Sequence, residues 1–189
     1  MPILAAKQRL RLRFEAHAIV TADGMIADAA GAMPDELRNQ ADWQAFQAAL
    51  DVATLVVVGR LGHERHPNPG RRRLVLTRAV STLIPDARDP LALLWNPVAT
   101  PFGRVLDALE IADGTIAITG GTGVFDHFLA VYDRFALSEV HRFVLPGGTP
   151  CFGGGHPRAV LAANGLVPGE GTLIDAAAGV TATPWLRRA

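Results

Sequence analysis

The stretch ITGGTGVFDHFL, residues 118–129, joins a predicted β-strand to a predicted α-helix through a pair of glycines. Glycine lets a backbone approach a phosphate group closely, and the first amides of a helix can donate hydrogen bonds to it. The same letters also suit a tight strand-to-helix connection that binds nothing. The stretch lacks both the G-x-G-x-x-G spacing of dinucleotide-binding turns and the lysine of a Walker A loop, so both interpretations stay open.

Composition limits the size class and the functions of the chain. The 189 residues fit one domain, and 49% of them are hydrophobic, which is enough for a sizeable core. The formal net charge is zero, which argues against a surface adapted to nucleic acid or to an acidic membrane. A single cysteine, Cys151, leaves no internal disulfide and favours a reducing compartment. Because no apolar run is long enough to span a membrane, we expect a cytoplasmic protein.

Hydrophobic periodicity predicts alternating strands and helices. Residues 10–20 alternate apolar and charged side chains, which is typical of a strand. Trp43, Phe46 and Leu50 have the spacing of one helix face, which predicts a helix over residues 41–53 with this face buried. Continuous apolar runs are typical of strands buried on both faces, and they predict such strands at residues 54–59, 73–77 and 115–119.

The order of these elements predicts the fold class. A further helix is predicted from Thr100, its N-cap, to Gly114, and the last strands follow one another without helices. Helices between consecutive buried strands imply a mostly parallel sheet covered on both faces. We therefore predict a single three-layer α/β/α domain over residues 1–189, with a mixed, mostly parallel sheet and an antiparallel C-terminal edge. Residues 1–9 would form a flexible or interface extension.

Two predicted strands end in polar residues that suit an anion. Ligands of parallel sheets bind beyond the carboxyl ends of the strands. Gly59 and Arg60 follow one strand, and Thr77 and Arg78 follow the next. Arg60, Thr77 and Arg78 together would suit the ribose 2′-phosphate that distinguishes NADPH from NADH. Each pair taken alone is equally compatible with solvated side chains.

Asp42 is the candidate acid. It lies at the border of the buried face of its predicted helix, where a carboxyl can point into a cleft and donate a proton. The helix dipole alone also favours an acidic residue in the first turn, so the function of Asp42 stays open at this point. Of the six histidines, His63 and His66 have metal-ligand spacing but lack a third ligand, so we expect no metal site.

Five segments, taken in order, resemble the dihydrofolate reductase superfamily, which includes the reductase domain of riboflavin biosynthesis. The resemblance covers about residues 13–152 and implies the same α/β fold. The segments are AIVTADGMIA at 18–27, GAMP at 31–34 followed by ADWQAF at 41–46, VVVGRLGHE at 56–64, PGRRRLVLTR at 69–78 and ITGGTGVFDHFL at 118–129.

The resemblance implies NADPH as hydride donor. Asp42 would bind the aminopyrimidine edge of the substrate and assist protonation of a ring nitrogen. Phe46 and Met33 would contact the substrate, and Arg71 would bind a carboxylate tail. A larger set would surround the cofactor: Gly59, Arg60, Thr77, Arg78, Gly120, Gly121, Thr122, Gly123 and Val124.

Departures from the family pattern leave the substrate open. Gly62 replaces a threonine of the phosphate-binding segment, and Asp35 replaces a tryptophan that holds water near the substrate. The leading prediction is an NADPH-dependent reductase of a C=N bond in a dihydropterin, such as dihydrofolate or dihydromethanopterin, with a role in one-carbon metabolism. The alternative, favoured by the C-terminal GVTATPWLRR, is reduction of a ribosylaminopyrimidine in riboflavin biosynthesis.

A nucleotide-binding module without turnover is the third interpretation, since loss of the hydroxyl at Gly62 would suit weakened cofactor binding. For all three we expect a small-molecule ligand, no nucleic-acid or membrane partner, and a monomer or homodimer.

Overall fold

The computed structural model describes residues 11–66 and 68–188, so the predicted extension at residues 1–9 lies outside the described part. The helices are α1 (Gln40–Asp51), α2 (Arg60–Arg65), α3 (Phe102–Ala108), α4 (Thr122–Phe128) and α5 (Pro157–Ala163), with 3-10 turns at Asp35–Leu37 and Leu129–Val131. The strands are β1 (Leu12–Thr21), β2 (Met25–Ala27), β3 (Leu55–Gly59), β4 (Arg73–Leu76), β5 (Ile84–Asp86), β6 (Asp89–Trp95), β7 (Gly114–Ile118), β8 (Arg134–Val140), β9 (Thr149–Pro150), β10 (Leu166–Pro168), β11 (Thr172–Asp175) and β12 (Val180–Arg187).

One ten-stranded sheet organises the domain. Its order is β10-β12-β8-β1-β7-β3-β4-β6-β5, with β11 paired to β12. The central strands from β8 to β6 are parallel. In contrast, β12 pairs antiparallel with β8, β10 and β11, and β5 pairs antiparallel with β6. The prediction of a mostly parallel mixed sheet with an antiparallel C-terminal edge is therefore confirmed.

The two faces of the sheet are filled unequally. On one face, side chains of α3, α4 and α5, among them Phe102 and Phe128, join one large cluster of buried apolar residues. On the opposite face, three smaller clusters lie apart, around Ile19, Leu50 and Val58. Because α1 and α2 cover this second face only in part, space remains between the helices and the sheet.

Two helices differ from their predictions. Pro101 rather than Thr100 is the N-cap of α3, and the helix ends at Ala108. The backbone at Glu110 is left-handed (φ 57°), so the chain has left the helix before Gly114, which opens β7. The sequence pattern also missed α5 in the Gly-rich C-terminal region, because its 7 residues are too few to show a helical period.

The face that α1 turns to the sheet also differs from the predicted one. Leu50 is buried as expected, but Trp43 is 47% exposed whereas Asp42 is only 7% exposed. Asp42 lies against β1, where His17 hydrogen-bonds to its carboxyl group. Because His17 pairs with it, the carboxyl of Asp42 can be buried, whereas the neighbouring Trp43, whose burial was predicted, is about half exposed.

Candidate functional site

A cavity of about 720 Å³, named here the front cavity, lies between α1, α2 and the ends of β3 and β7. Its size is typical of small-molecule sites, and its place beyond strand ends is where parallel sheets bind ligands. Most of the predicted site residues line it: Met33, Asp42, Phe46, Gly59, Arg60, Gly120, Gly121, Thr122, Gly123 and Val124.

Gly59, Gly120 and Gly121 form the glycine region of this cavity. The amide of Gly59 donates to the carbonyl oxygen of Gly120 at 2.9 Å, so two neighbouring strand ends touch. The backbone at Gly120 is left-handed (φ 95°), and a Cβ atom there would lie 2.7 Å from the ring of Phe125. Residue 120 must therefore be glycine for both conformational and packing reasons. The peptide bond between Gly120 and Gly121 is cis.

The space in front of this turn is open. The nearest atom to a Cβ placed on Gly121 would belong to Ile26, at 3.9 Å, and a Cβ on Gly123 would have nothing within 4 Å. Thr122 and Gly123 lie in the first turn of α4, where the helix supplies no acceptor for the amides. The Thr122 hydroxyl donates to the carbonyl oxygen of Pro150, which ties this turn to β9. A flat or anionic group can therefore approach the backbone of Gly123 freely and that of Gly121 beside the side chain of Ile26.

His17 and Asp42 form the acid region of the front cavity. The Nε2 atom of His17 lies 2.9 Å from Oδ1 of Asp42, and their side chains are 13% and 9% exposed. The side chain of Asn39 accepts a hydrogen bond from the amide of Asp42, which fixes the start of α1. The ring of Phe46 packs edge-on against His17, with centroids 5.3 Å apart. A carboxyl group held in this way can exchange a proton with a bound molecule.

His17 was not among the predicted site residues. Its position in β1 could have indicated a functional role. Ala16 and Ala18 belong to the large cluster, so the alternation of the strand sends His17 to the opposite face. A polar side chain on a face covered by a helix needs a partner. Asp42, in the first turn of the helix that covers this face, supplies one.

Arg60 lines the front cavity but is already paired. Its Nη1 atom lies 2.9 Å from each carboxylate oxygen of Glu64, one turn later in α2. Both side chains are about half exposed, so this ion pair contributes less than about 1 kcal/mol. A phosphate group can therefore replace Glu64 as the partner of Arg60 at little cost.

Three residues that the resemblance placed at the ligands do not line the front cavity, among the residues that the structure describes. Arg71 is held outside it, with Nη2 at 2.5 Å from Asp51 and Nη1 at 2.9 Å from Gln47. Thr77 is buried, and its hydroxyl accepts a hydrogen bond from the amide two residues later. Arg78 is exposed on the loop that follows.

Arg65 closes part of the cavity mouth and was not predicted. Its guanidinium group donates to the carbonyl oxygens of Ala30 and Gly31, which belong to the segment between β2 and α1. Met33 lies in the same segment and lines the cavity. Arg65 therefore ties this segment to α2 across the mouth.

The histidine pair considered as a metal site has another arrangement. His63 lies 2.9 Å from a carboxylate oxygen of Asp86. A hydrogen bond from the backbone of Arg88, together with the one from His63, keeps the pKa of Asp86 below its ordinary value. Within residues 11–66 and 68–188, no three potential metal ligands lie together. The helices described in these ranges include none that is long and apolar enough to cross a membrane.

No family model and no curated protein matches the sequence, but solved structures match nearly its whole length. A provisionally named riboflavin biosynthesis protein from Shewanella sp. PV-4 gives a TM-score of 0.68 at 19% identity, over 94% of this chain and 99% of the other. Dihydrofolate reductase from Enterococcus faecalis, complexed with NADP(H) and RAB-propyl, gives 0.66 at 18% identity over 94% and 97%.

A third match is a diaminohydroxyphosphoribosylaminopyrimidine deaminase/5-amino-6-(5-phosphoribosylamino)uracil reductase from Thermotoga maritima. It gives a TM-score of 0.66 at 16% identity, over 95% of this chain and 58% of the other. These likenesses show the fold, as the sequence resemblance implied. At identities of 16–19%, the reaction has to be argued from the site itself.

Proposed function

We propose that this chain, which has the dihydrofolate reductase-like fold, is an NADPH-dependent reductase of a C=N bond in a pterin or pyrimidine ring. The observation that carries the proposal is one cavity lined by both the glycine region and the acid region. Hydride transfer needs a donor and an acceptor held in close alignment, together with one acid for the acceptor nitrogen. An open glycine surface beside a buried carboxyl meets both needs.

The glycine region fits a dinucleotide cofactor. Gly121 and Gly123 would let the nicotinamide and pyrophosphate approach the backbone, since a Cβ on Gly123 would meet nothing within 4 Å and one on Gly121 only Ile26, at 3.9 Å. Gly59 pairs with Leu76 in the parallel register of β3 and β4, so the two strand ends lie side by side and continue the surface. When bound, NADPH supplies the hydride.

The proposed preference for NADPH over NADH rests on Arg60. Its guanidinium group would exchange Glu64 for the 2′-phosphate, which forms stronger charge-assisted hydrogen bonds than an exposed carboxylate pair. Thr77 and Arg78, at the neighbouring strand end, stay proposed contacts of the same phosphate.

The acid region fits a flat nitrogen heterocycle. Asp42 would bind an amino-pyrimidine edge and hold the proton that the acceptor nitrogen receives. Phe46 and Trp43 line the same wall, with ring centroids 5.7 Å apart, and offer apolar surfaces to a planar ring. Met33 would contact the ring from the segment that Arg65 holds. We propose a dihydropterin as the leading substrate class on these grounds.

A ribosylaminopyrimidine is the second candidate, and the position of Arg71 favours it. Because Asp51 and Gln47 hold this guanidinium outside the front cavity, a substrate with a carboxylate tail would have to displace Asp51 first. A ribosylaminopyrimidine makes no such demand. Two of the matched structures also carry names from riboflavin biosynthesis or uracil reduction.

The test is NADPH oxidation by purified protein with dihydrofolate, dihydromethanopterin and the ribosylaminopyrimidine intermediate. Asp42→Asn is the matched variant, because it keeps the size of the side chain but cannot donate a carboxyl proton. We expect one acceptor to support oxidation, and the variant to lower its rate about 100-fold. NADPH binding without oxidation by any acceptor would support the binding module instead, and no binding would contradict the proposal altogether.

A further inference from the structure

A second cavity of about 640 Å³, named here the rear cavity, lies between α1 and the strands β8 and β12. Among the described residues, four line both cavities: His17, Asp42, Phe46 and Thr119. These four therefore form the wall between the two spaces. The acid region thus has one side toward the glycine region and another side toward the rear cavity.

The rear cavity is polar near His17. Glu15, two residues earlier on the same face of β1, lines it together with the buried Ser138. Arg134 lies beside Glu15 in the sheet register, and Nη1 of Arg134 is 3.9 Å from Oε2 of Glu15. Polar groups around a space of this size make it suitable for water.

The charged side chains that line the rear cavity come from four parts of the chain. Asp42 belongs to α1, Glu15 to β1, Arg134 to β8 and Glu170 to the segment between β10 and β11. In the part of the chain that the structure describes, Asp42 is the charged group that hydrogen-bonds to the ring. Glu15 lies beside Arg134, so Asp42 is the acidic side chain that contacts the imidazole.

We propose that His17 carries protons from water in the rear cavity to Asp42, and this inference rests on the proposed reductase function. In the proposed reaction the substrate carbon would gain the hydride that bound NADPH supplies, and the electron pair of the C=N π bond would move to the nitrogen. That nitrogen takes the proton of the Asp42 carboxyl group. His17, once it has taken up a proton that solvent delivers through water in the rear cavity, gives its Nε2 proton to the resulting carboxylate and is left as a neutral imidazole. Each cycle therefore consumes one proton from solvent.

The physical reason for a rear path is the crowding of the front cavity. When cofactor and substrate occupy it together, they exclude water from the side of Asp42 on which the reaction proceeds. The acid must still regain a proton in each cycle. A histidine in the wall gives it a connection to water that the bound ligands do not block.

The test measures exchange of the His17 ring N–H with water by ¹⁵N NMR on the full chain. The protein is saturated with NADP+ and with the acceptor that supports turnover, a pair that fills the front cavity without hydride transfer. NADPH binding is checked separately by fluorescence. Ala45→Phe places a ring in the rear cavity. Ala48→Phe is the matched control, because Ala48 belongs to the same helix but lines neither cavity. We expect the first variant to slow exchange about tenfold and the second to leave it unchanged, since only the first closes the water path.

Unchanged exchange in Ala45→Phe, or equal slowing in both variants, would overturn the rear path while leaving the reductase proposal standing. Absence of NADPH binding would overturn the reductase proposal and this inference with it. The two failures are therefore distinguishable.

His17→Gln separates proton carrying from positioning. Glutamine can still donate a hydrogen bond to Asp42, but it cannot take up and release a proton. With the acceptor that supports turnover, we expect kcat to fall about tenfold or more while KM stays within about twofold. Wild-type kcat in this variant would show that His17 only positions Asp42 and would overturn the proposal.

Discussion

The glycine region and the acid region line the same cavity, but different parts of the chain build them. Backbone geometry shapes the glycine region, through the hydrogen bond from Gly59 to Gly120 and the left-handed conformation at Gly120. Side-chain chemistry shapes the acid region, where His17 of β1 meets Asp42 of α1. Added atoms should therefore disrupt the glycine region and its cofactor binding. Removal of a proton donor, without any change of shape, should disrupt the chemistry of the acid region.

Gly120→Ala has the largest expected effect. The added Cβ would overlap the Phe125 ring in a backbone conformation that alanine disfavours. We expect the free energy of unfolding to fall by about 3 kcal/mol or more, measured by urea denaturation, with loss of NADPH binding. Gly123→Ala is the matched control, because its Cβ meets nothing, and it should leave stability unchanged or raise it by up to about 1 kcal/mol. A loss below about 1 kcal/mol at residue 120 would contradict the packing argument.

Asp42→Asn should lower turnover but leave stability and cofactor binding intact, since it leaves the shape of the acid region almost unchanged. We expect turnover to fall about 100-fold, equivalent to about 2.7 kcal/mol of transition-state stabilisation. The affinity for NADPH should stay the same, because Asp42 does not belong to the glycine region. An unchanged rate would remove Asp42 from the mechanism.

Arg71→Ala tests whether the acid region extends to a substrate tail. A carboxylate tail that displaces Asp51 would gain a charge-assisted hydrogen bond from Arg71. Loss of this bond in the variant should raise KM for substrates with such a tail about fivefold to tenfold. Substrates without a carboxylate should keep their KM, which steady-state kinetics on both classes will measure. Equal effects on the two classes would mean that Arg71 only supports α1 through Asp51 and Gln47.

The smallest expected effect concerns α4, the helix that begins at the glycine region. Burial lowers the pKa of His127 below its ordinary value, and the ring packs on Trp95 and Phe128. The unfolded chain therefore binds a proton at His127 more readily than the folded chain does. The contribution of His127 to the free energy of unfolding is complete above about pH 6.5 and is lost as the pH falls through the lower pKa of the folded state. His127→Gln should flatten the decline in unfolding free energy between pH 7 and pH 5. The unfolding free energy is measured by urea denaturation at each pH. If its dependence on pH is the same in wild type and in the variant, other groups cause the decline.

The glycine region could be located from sequence because its information is local. A glycine pair between an apolar strand and a helix indicates a close backbone approach, whatever the rest of the chain does. The parallel sheet could be predicted for a similar reason, since continuous apolar runs such as residues 54–59 mark strands buried on both faces. Both features depend on neighbours in the sequence.

The acid region could be located only in part because it depends on which elements meet. Asp42 followed from its motif, but His17 becomes a partner only when α1 covers that face of β1. The same limit explains Trp43, whose helical spacing predicted a buried side chain that the cavity leaves exposed. Thr77 was expected at the end of its strand and Arg71 at a substrate tail, but their partners, a turn amide and Asp51, could not be read from spacing.

The most direct test of the account is a fluorescence titration of wild type and Asp42→Asn with NADPH and with NADH. If the glycine region holds the cofactor and the acid region only serves the substrate, both proteins should bind NADPH saturably with Kd values within about twofold of each other. NADH should bind about tenfold more weakly, because it lacks the phosphate proposed for Arg60. Failure of NADPH to bind either protein would contradict the assignment of the front cavity as a cofactor site.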